Sequence, residues 1–203
     1  MAIAAGASAV GLVSAMPSGP GPIPEVLIAE IAAMIPPGVS SFLLTCLQDA
    51  ASIIDQQRRL GVNTIQICDR LTHGSYQDLR EALPGISLVQ VVHVTGPEAL
   101  DEAIEVAPQV DAILLDSGNQ SLEIKELGGT GRTHDWNLSR KIRESIEVPL
   151  FLAGGLNPSN VAAAIREVQP FGIDVCSGLR TNGALDSRKL KRFFAAFTAS
   201  HLE

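Results

Sequence analysis

The chain has 203 residues, 46% of them hydrophobic and 18% charged, which is enough apolar material for one sizeable core and too much for intrinsic disorder. Fifteen Lys and Arg against 22 Asp and Glu leave a formal net charge of −7, which argues against a nucleic-acid surface but leaves room for a local anion site. Cys46, Cys68 and Cys176 are three in number and far apart, so they suit neither a disulfide framework nor a metal-type pair, and a cytoplasmic location is expected.

Residues 1–24 carry no charge, and the first basic residue is Arg58. A secretory signal needs a positive start, and Gly6, Gly11, Ser14 and the Pro-Gly cluster at 17–22 argue against a membrane span. Residues 1–7 (MAIAAGA) read instead as the last turns of a helix capped by Gly6. From there, short apolar runs recur at 9–13, 39–45, 64–67, 88–92, 112–115, 150–153 and 173–176. Their near-continuous hydrophobicity suits strands buried on both faces of a parallel sheet. Helical patterns alternate with them at 25–34, 50–60, 76–83, 97–107, 138–145, 158–168 and 187–197. Gly38, Gly61 and Gly85 each follow such a pattern where a C-terminal cap belongs.

Repeated βα units of this length build either an open doubly wound sheet or a closed eight-stranded barrel, for which about 200 residues is the lower size limit. One domain over 1–203 is expected, with seven strands and the one before the first helix absent. Such a barrel has an open seam, which distortion, water or a second copy of the chain would have to cover.

In both architectures ligands sit at the C-terminal ends of the strands. Asp116 directly follows the run AILL and reads either as a loop cap or as a catalytic carboxylate tuned by its apolar surroundings. The long segment 127–136 (LGGTGRTHDW) carries Gly128, Gly129 and Gly131, which permit a close backbone approach to a ligand or merely a flexible lid. At 153–158 (AGGLNP), Gly154 and Gly155 follow a strand, with Asn157 placed to cap a helix and Pro158 to begin it. Free amides and a helix N-terminus then meet as a phosphate cradle. Ser177 and Gly178 close the last strand and would complete that anion site. Cys68 and His93 also lie near the rim, where a lone buried cysteine or histidine is more often structural.

Taken together, LLDS at 114–117, GGTGRTHDW at 128–136, LAGGLNPSNVAAAI at 152–165 and PFGIDVCSG at 170–178 resemble the phosphoribosylanthranilate isomerase family. The resemblance implies a (β/α)8 TIM barrel of the ribulose-phosphate-binding type and an Amadori rearrangement of a phosphoribosyl-amine in tryptophan biosynthesis. No metal or organic cofactor and no membrane partner are implied, and the substrate is a small phosphorylated molecule. It further implies that Asp116 is the general acid, that Gly154, Gly155, Ser177 and Gly178 hold the phosphate, and that Gly129 and Asp174 contact the sugar side. The family's Lys-Ile-Cys-Gly motif, which carries its catalytic base on the first strand, has no counterpart in these residues. Ser18-Gly19-Pro20-Gly21-Pro22 stands where the family has a basic residue, and Cys68 stands where it has a histidine. Two readings follow: an isomerase of this family, or a non-catalytic or repurposed barrel that binds a phosphorylated metabolite.

Overall fold

The computed structural model describes residues 1–199. Seven parallel strands, β1 (Ala9–Val13), β2 (Ser40–Thr45), β3 (Thr64–Ile67), β4 (Ser87–His93), β5 (Ala112–Asp116), β6 (Leu150–Leu152) and β7 (Gly172–Ile173), pair strictly in sequence order. Six of the seven helices cross between them: α1 (Glu25–Met34), α2 (Ala50–Leu60), α3 (Tyr76–Ala82), α4 (Glu98–Val106), α5 (Trp136–Ser145) and α6 (Val161–Val168); α7 (Ser187–Ala199) follows β7. The sheet curls into a partial barrel, and among the described residues no strand joins β1 to β7. That is the seven-stranded, gapped arrangement expected.

Alternation along each strand sorts the apolar side chains into two layers. Ile65, Ile67, Leu88, Val92, Ile113, Leu115, Leu150 and Leu152 point out beneath the helices. Val89, Val91, Ala112 and Leu114 point inward with Cys68, Leu127 and Ala153. Both sets are buried, which is why the runs read as continuous rather than alternating. Phe151 reaches across the interior to Phe42 edge-on, with ring centroids 6.1 Å apart, filling space that a barrel must fill with side chains. Each of the fully buried aliphatic side chains contributes roughly 1.5–3 kcal/mol.

Several local expectations need correction. Residues 3–5 form a single 3-10 turn rather than the end of a longer helix, although Gly6 does cap it at φ +108°. Only Gly61 ends a helix directly; α1 closes at Ile35 and α3 at Leu83, and Gly38 and Gly85 bend the turns beyond. The last strand is shorter than 173–176. After Asp174 donates its amide to Leu152 (2.9 Å), the backbone leaves the ladder and forms a 3-10 turn at Ser177–Leu179. A small hairpin, β8 (Arg180–Thr181) with β9 (Ala184–Leu185), then precedes α7. No helix of the described residues is long and apolar enough to cross a membrane.

Candidate active site

The carboxyl ends of β5, β6 and β7 surround a small cleft. Asp116 is the last residue of β5 and 7% exposed. One of its oxygens accepts from the Ser117 amide at 2.7 Å, so the side chain is held by its own strand end rather than capping a helix. Asp174, one residue beyond β7, faces the same cleft. The protein encircling Asp174, reinforced by the charge of Asp116, lifts its carboxyl from 3.8 to about 6. Its outer side still meets solvent at the mouth, so it can exchange protons. Two carboxylates facing one cavity, one of them raised, are the parts needed to move protons near neutral pH.

The floor between them is a pair of interlocked turns. Gly154 and Gly155 adopt φ +79° and +62°, a left-handed backbone that glycine adopts without strain. No protein acceptor among the described residues takes up either amide. The side-chain amides of Asn157 and Asn160 fix the turn by donating to the Gly155 carbonyl at 3.2 and 3.1 Å. Gly178 lies so close to the Leu156 carbonyl that any side chain would collide with it, so the turns after β6 and β7 form one unit. The expected helix start at Asn157-Pro158 does not occur. Asn160 is the cap residue and α6 begins at Val161, because Asn157 instead accepts from the Ser159 amide and tightens a turn ahead of the helix. The cradle is therefore made of turn amides, which form anion-binding concavities as helix ends do.

The segment 117–135 folds over this cleft as a lid. Asn119 and Glu126 pair their backbones (2.7 and 2.9 Å) to close its loop. Lys125 reaches to Asp69, just beyond β3, at 2.5 Å, and its carbonyl accepts from the Ser18 hydroxyl at 2.7 Å. Thr130 shares a 2.7 Å hydrogen bond with Ser117, and Gly129 packs on Pro20. A side chain on Gly128 would stand 2.8 Å from Asp116 Oδ2, and one on Gly155 would stand 2.5 Å from the Arg132 carbonyl carbon. These glycines let the lid lie directly on the carboxylate and on the turn. His134 is wedged beside Gly154 with neither ring nitrogen partnered, and burial lowers its pKa.

The thiols are less prepared for chemistry. Cys68 is fully buried inside the barrel and burial drives its pKa far upward. Cys46 donates to the Ala15 carbonyl at 3.1 Å, and burial raises it too. His93 donates to or accepts from nothing in the cleft; its Nε2 contacts the Cys68 carbonyl at 3.0 Å.

A family model for N-(5'-phosphoribosyl)anthranilate isomerase matches residues 45–196. The chain belongs to the phosphoribosylanthranilate isomerase family. It is 37% identical over 195 residues to N-(5'-phosphoribosyl)anthranilate isomerase 2 of Methanosarcina mazei, covering 95% of this chain and 85% of that protein. To the N-(5'-phosphoribosyl)anthranilate isomerase of Haloferax volcanii it is 37% identical over 194 residues, covering 95% and 84%. Among solved structures, the phosphoribosyl anthranilate isomerase of Thermotoga maritima superposes with a TM-score of 0.80 at 28% identity, covering 98% of this chain and 91% of that one. Another, solved in complex with reduced 1-(o-carboxyphenylamino)-1-deoxyribulose 5-phosphate, superposes at 0.77 with 26% identity and the same coverage.

Within this isomerase-family fold, Asp116, Gly129, Gly154, Gly155, Asp174 and Ser177 all line the one cleft, with Gly178 locked behind it. Sequence reasoning missed Thr130, Val175 and Cys176 in the lining, and it missed Lys125 and Arg180 altogether. Lys125 gave no local signal, since its partner lies 56 residues away. Arg180 did have one nearby. Asn182-Gly183, the strongest short hairpin signal, turns at φ +51° and +78° and presents Arg180 beside Gly21.

Proposed function

We propose that the chain rearranges N-(5'-phosphoribosyl)anthranilate to its carboxyphenylamino-deoxyribulose phosphate isomer. The observation that carries this reading is the cleft itself, which Asp116 and Asp174 line together with the glycine turns. The free Gly154 and Gly155 amides, with Ser177 and the Gly178 turn, receive the substrate phosphate. Asp116 donates a proton to the ribose ring oxygen, the ring C–O bond breaks, and the anthranilate nitrogen's lone pair forms the cationic imine. Asp174, ionised above about pH 6, balances that charge from the sugar side. Loss of the C2 proton to the ionised Asp174 carboxylate, which lines the same cleft, and tautomerisation of the enol-amine then give the ketose. The lid's contact with Asp116 keeps water from the opened imine. Three free thiols support a reducing compartment such as the cytoplasm.

A second reading, a barrel that binds the phosphorylated ligand without turnover, is favoured by the raised thiols of Cys68 and Cys46, neither of which suits the base. One experiment separates the two. The purified chain is mixed with freshly made N-(5'-phosphoribosyl)anthranilate, and the fluorescence of the anthranilate group is followed. Enzyme-dependent conversion supports the isomerase. Tight binding of the reduced product analogue without conversion supports the second reading, and absence of both overturns the assignment of the cleft.

A further inference from the structure

Resting on the substrate assigned above, one part of the ligand is still without a partner. The product analogue bound in the related structure is anionic at both ends, with a 5-phosphate and a carboxylate on its phenyl ring. The glycine turns answer the first, and no cationic side chain lines the cleft. Lys125 is paired with Asp69, Arg132 with Glu126, and Arg70 with Glu102. Arg180 is different: no carboxylate among the described residues lies within ion-pair distance of it.

Its position is built. Arg180 follows the Ser177–Leu179 turn, so its backbone is tied to the phosphate side of the site. Nη1 donates to the Gly183 carbonyl at 2.7 Å and the Lys189 ammonium donates to the Arg180 carbonyl at 2.5 Å, which together hold the stem. Nη2 extends to 3.8 Å from where a Cβ on Gly21 would stand, opposite the end of β1. That loop, Ser18-Gly19-Pro20-Gly21-Pro22, has no cationic side chain, and its one hydroxyl, on Ser18, already donates to the Lys125 carbonyl. Its Pro20 packs against Gly129 of the cleft wall. The guanidinium therefore stands just beyond the wall, over a loop whose missing side chains leave room for it.

We propose that Arg180 receives the aromatic carboxylate of the substrate, its guanidinium reaching over the Gly19–Gly21 loop to pair with the benzoate end while the glycine turns hold the phosphate. A planar, always-charged fork suits a carboxylate better than an ammonium does. Arg180 would then set the choice between anthranilate and an uncharged aryl amine.

Calorimetry tests this with three probes: the reduced carboxyphenylamino analogue, its phenylamino counterpart lacking the carboxylate, and ribose 5-phosphate. Wild-type protein should prefer the carboxylate-bearing analogue by roughly 10- to 100-fold, the worth of a charge-assisted contact. Arg180→Ala should erase that preference while leaving ribose 5-phosphate affinity unchanged. Arg180→Gln, which keeps the stem and a donor, guards against loss of the hairpin and should erase most of it as well. Persistence of the preference in both variants overturns the proposal. So does an equal loss for ribose 5-phosphate, which would put the guanidinium on the phosphate instead. If the wild-type protein binds both analogues equally, Arg180 has no such role and the isomerase reading stands; if it binds none of the three probes, that reading falls and the proposal falls with it.

Discussion

Replacing Lys125 by Met detaches the lid from the far side of the mouth. The Asp69 side chain is only 6% exposed while Lys125 is 36% exposed, so the substitution strands a buried carboxylate. Its remaining hydrogen bond comes from the Arg70 amide at 2.8 Å. A fully buried pair broken on one side costs about 3–5 kcal/mol, and an exposed pair less than about 1. With one partner sealed and the other a third open, about 2 kcal/mol is expected. In a domain of this size that lowers the melting temperature by about 4–8 °C. Hydrogen exchange should quicken in 117–131 and at Ser18, whose hydroxyl holds the Lys125 carbonyl, and not in β3 or β4. Because the cost lies in the orphaned charge, Asp69→Asn in the same chain should return at least half of the loss. An unchanged melting temperature in Lys125→Met, or no recovery in the double variant, would refute the idea that this pair latches the lid.

Three further outcomes follow from the site. In a carbon-detected NMR titration Asp174 should titrate near pH 6, and Asp116→Asn should move it toward the ordinary aspartate range, since the Asp116 charge is one cause of the rise; an unmoved midpoint would leave encirclement as the sole cause. His134→Phe replaces an unpartnered imidazole with an apolar ring of similar shape, so stability should hold or rise. The folded His134 pKa lies below the ordinary 6.5, so the unfolded chain binds its proton first as pH falls, and stability due to this group is lost below about 6.5; melting curves from pH 7 to 5 should be flatter in the variant. Gly178→Ala should push the turn after β7 off the Leu156 carbonyl and weaken ribose 5-phosphate binding at least tenfold, with the far wall at β2–β3 unchanged in hydrogen exchange.

The seven strands were legible because each is a short, largely apolar run, buried on two faces in β3 and β5, and the lips of β5, β6 and β7 were the places to look because strand ends carry the chemistry in such folds. What escaped the sequence lies where distant segments set the outcome. Gly38 and Gly85 have the composition of helix caps, but α1 and α3 stop earlier, at residues whose amides bond back to Ala32 and Leu79. Asn157-Pro158 has the chemistry of a helix start, and the Asn160 side chain accepting from the Asn157 amide at 2.8 Å makes it a turn instead. Residues 174–176 continue the hydrophobic pattern of a strand, yet locking Gly178 against Leu156 draws that backbone out of the sheet. Lys125 with Asp69, and Arg180 beside Gly21, are juxtapositions that only the closed fold creates.

The role of Asp116 decides most. The purified chain and Asp116→Asn are compared for conversion of N-(5'-phosphoribosyl)anthranilate, with binding of the reduced product analogue measured alongside. A general acid contributes about 10² to 10⁴-fold in rate, so the variant should lose at least a hundredfold in turnover while binding the analogue within a few-fold of wild type. Full turnover in Asp116→Asn would contradict the assignment of Asp116 as the acid and of this cleft as the place where the ring opens.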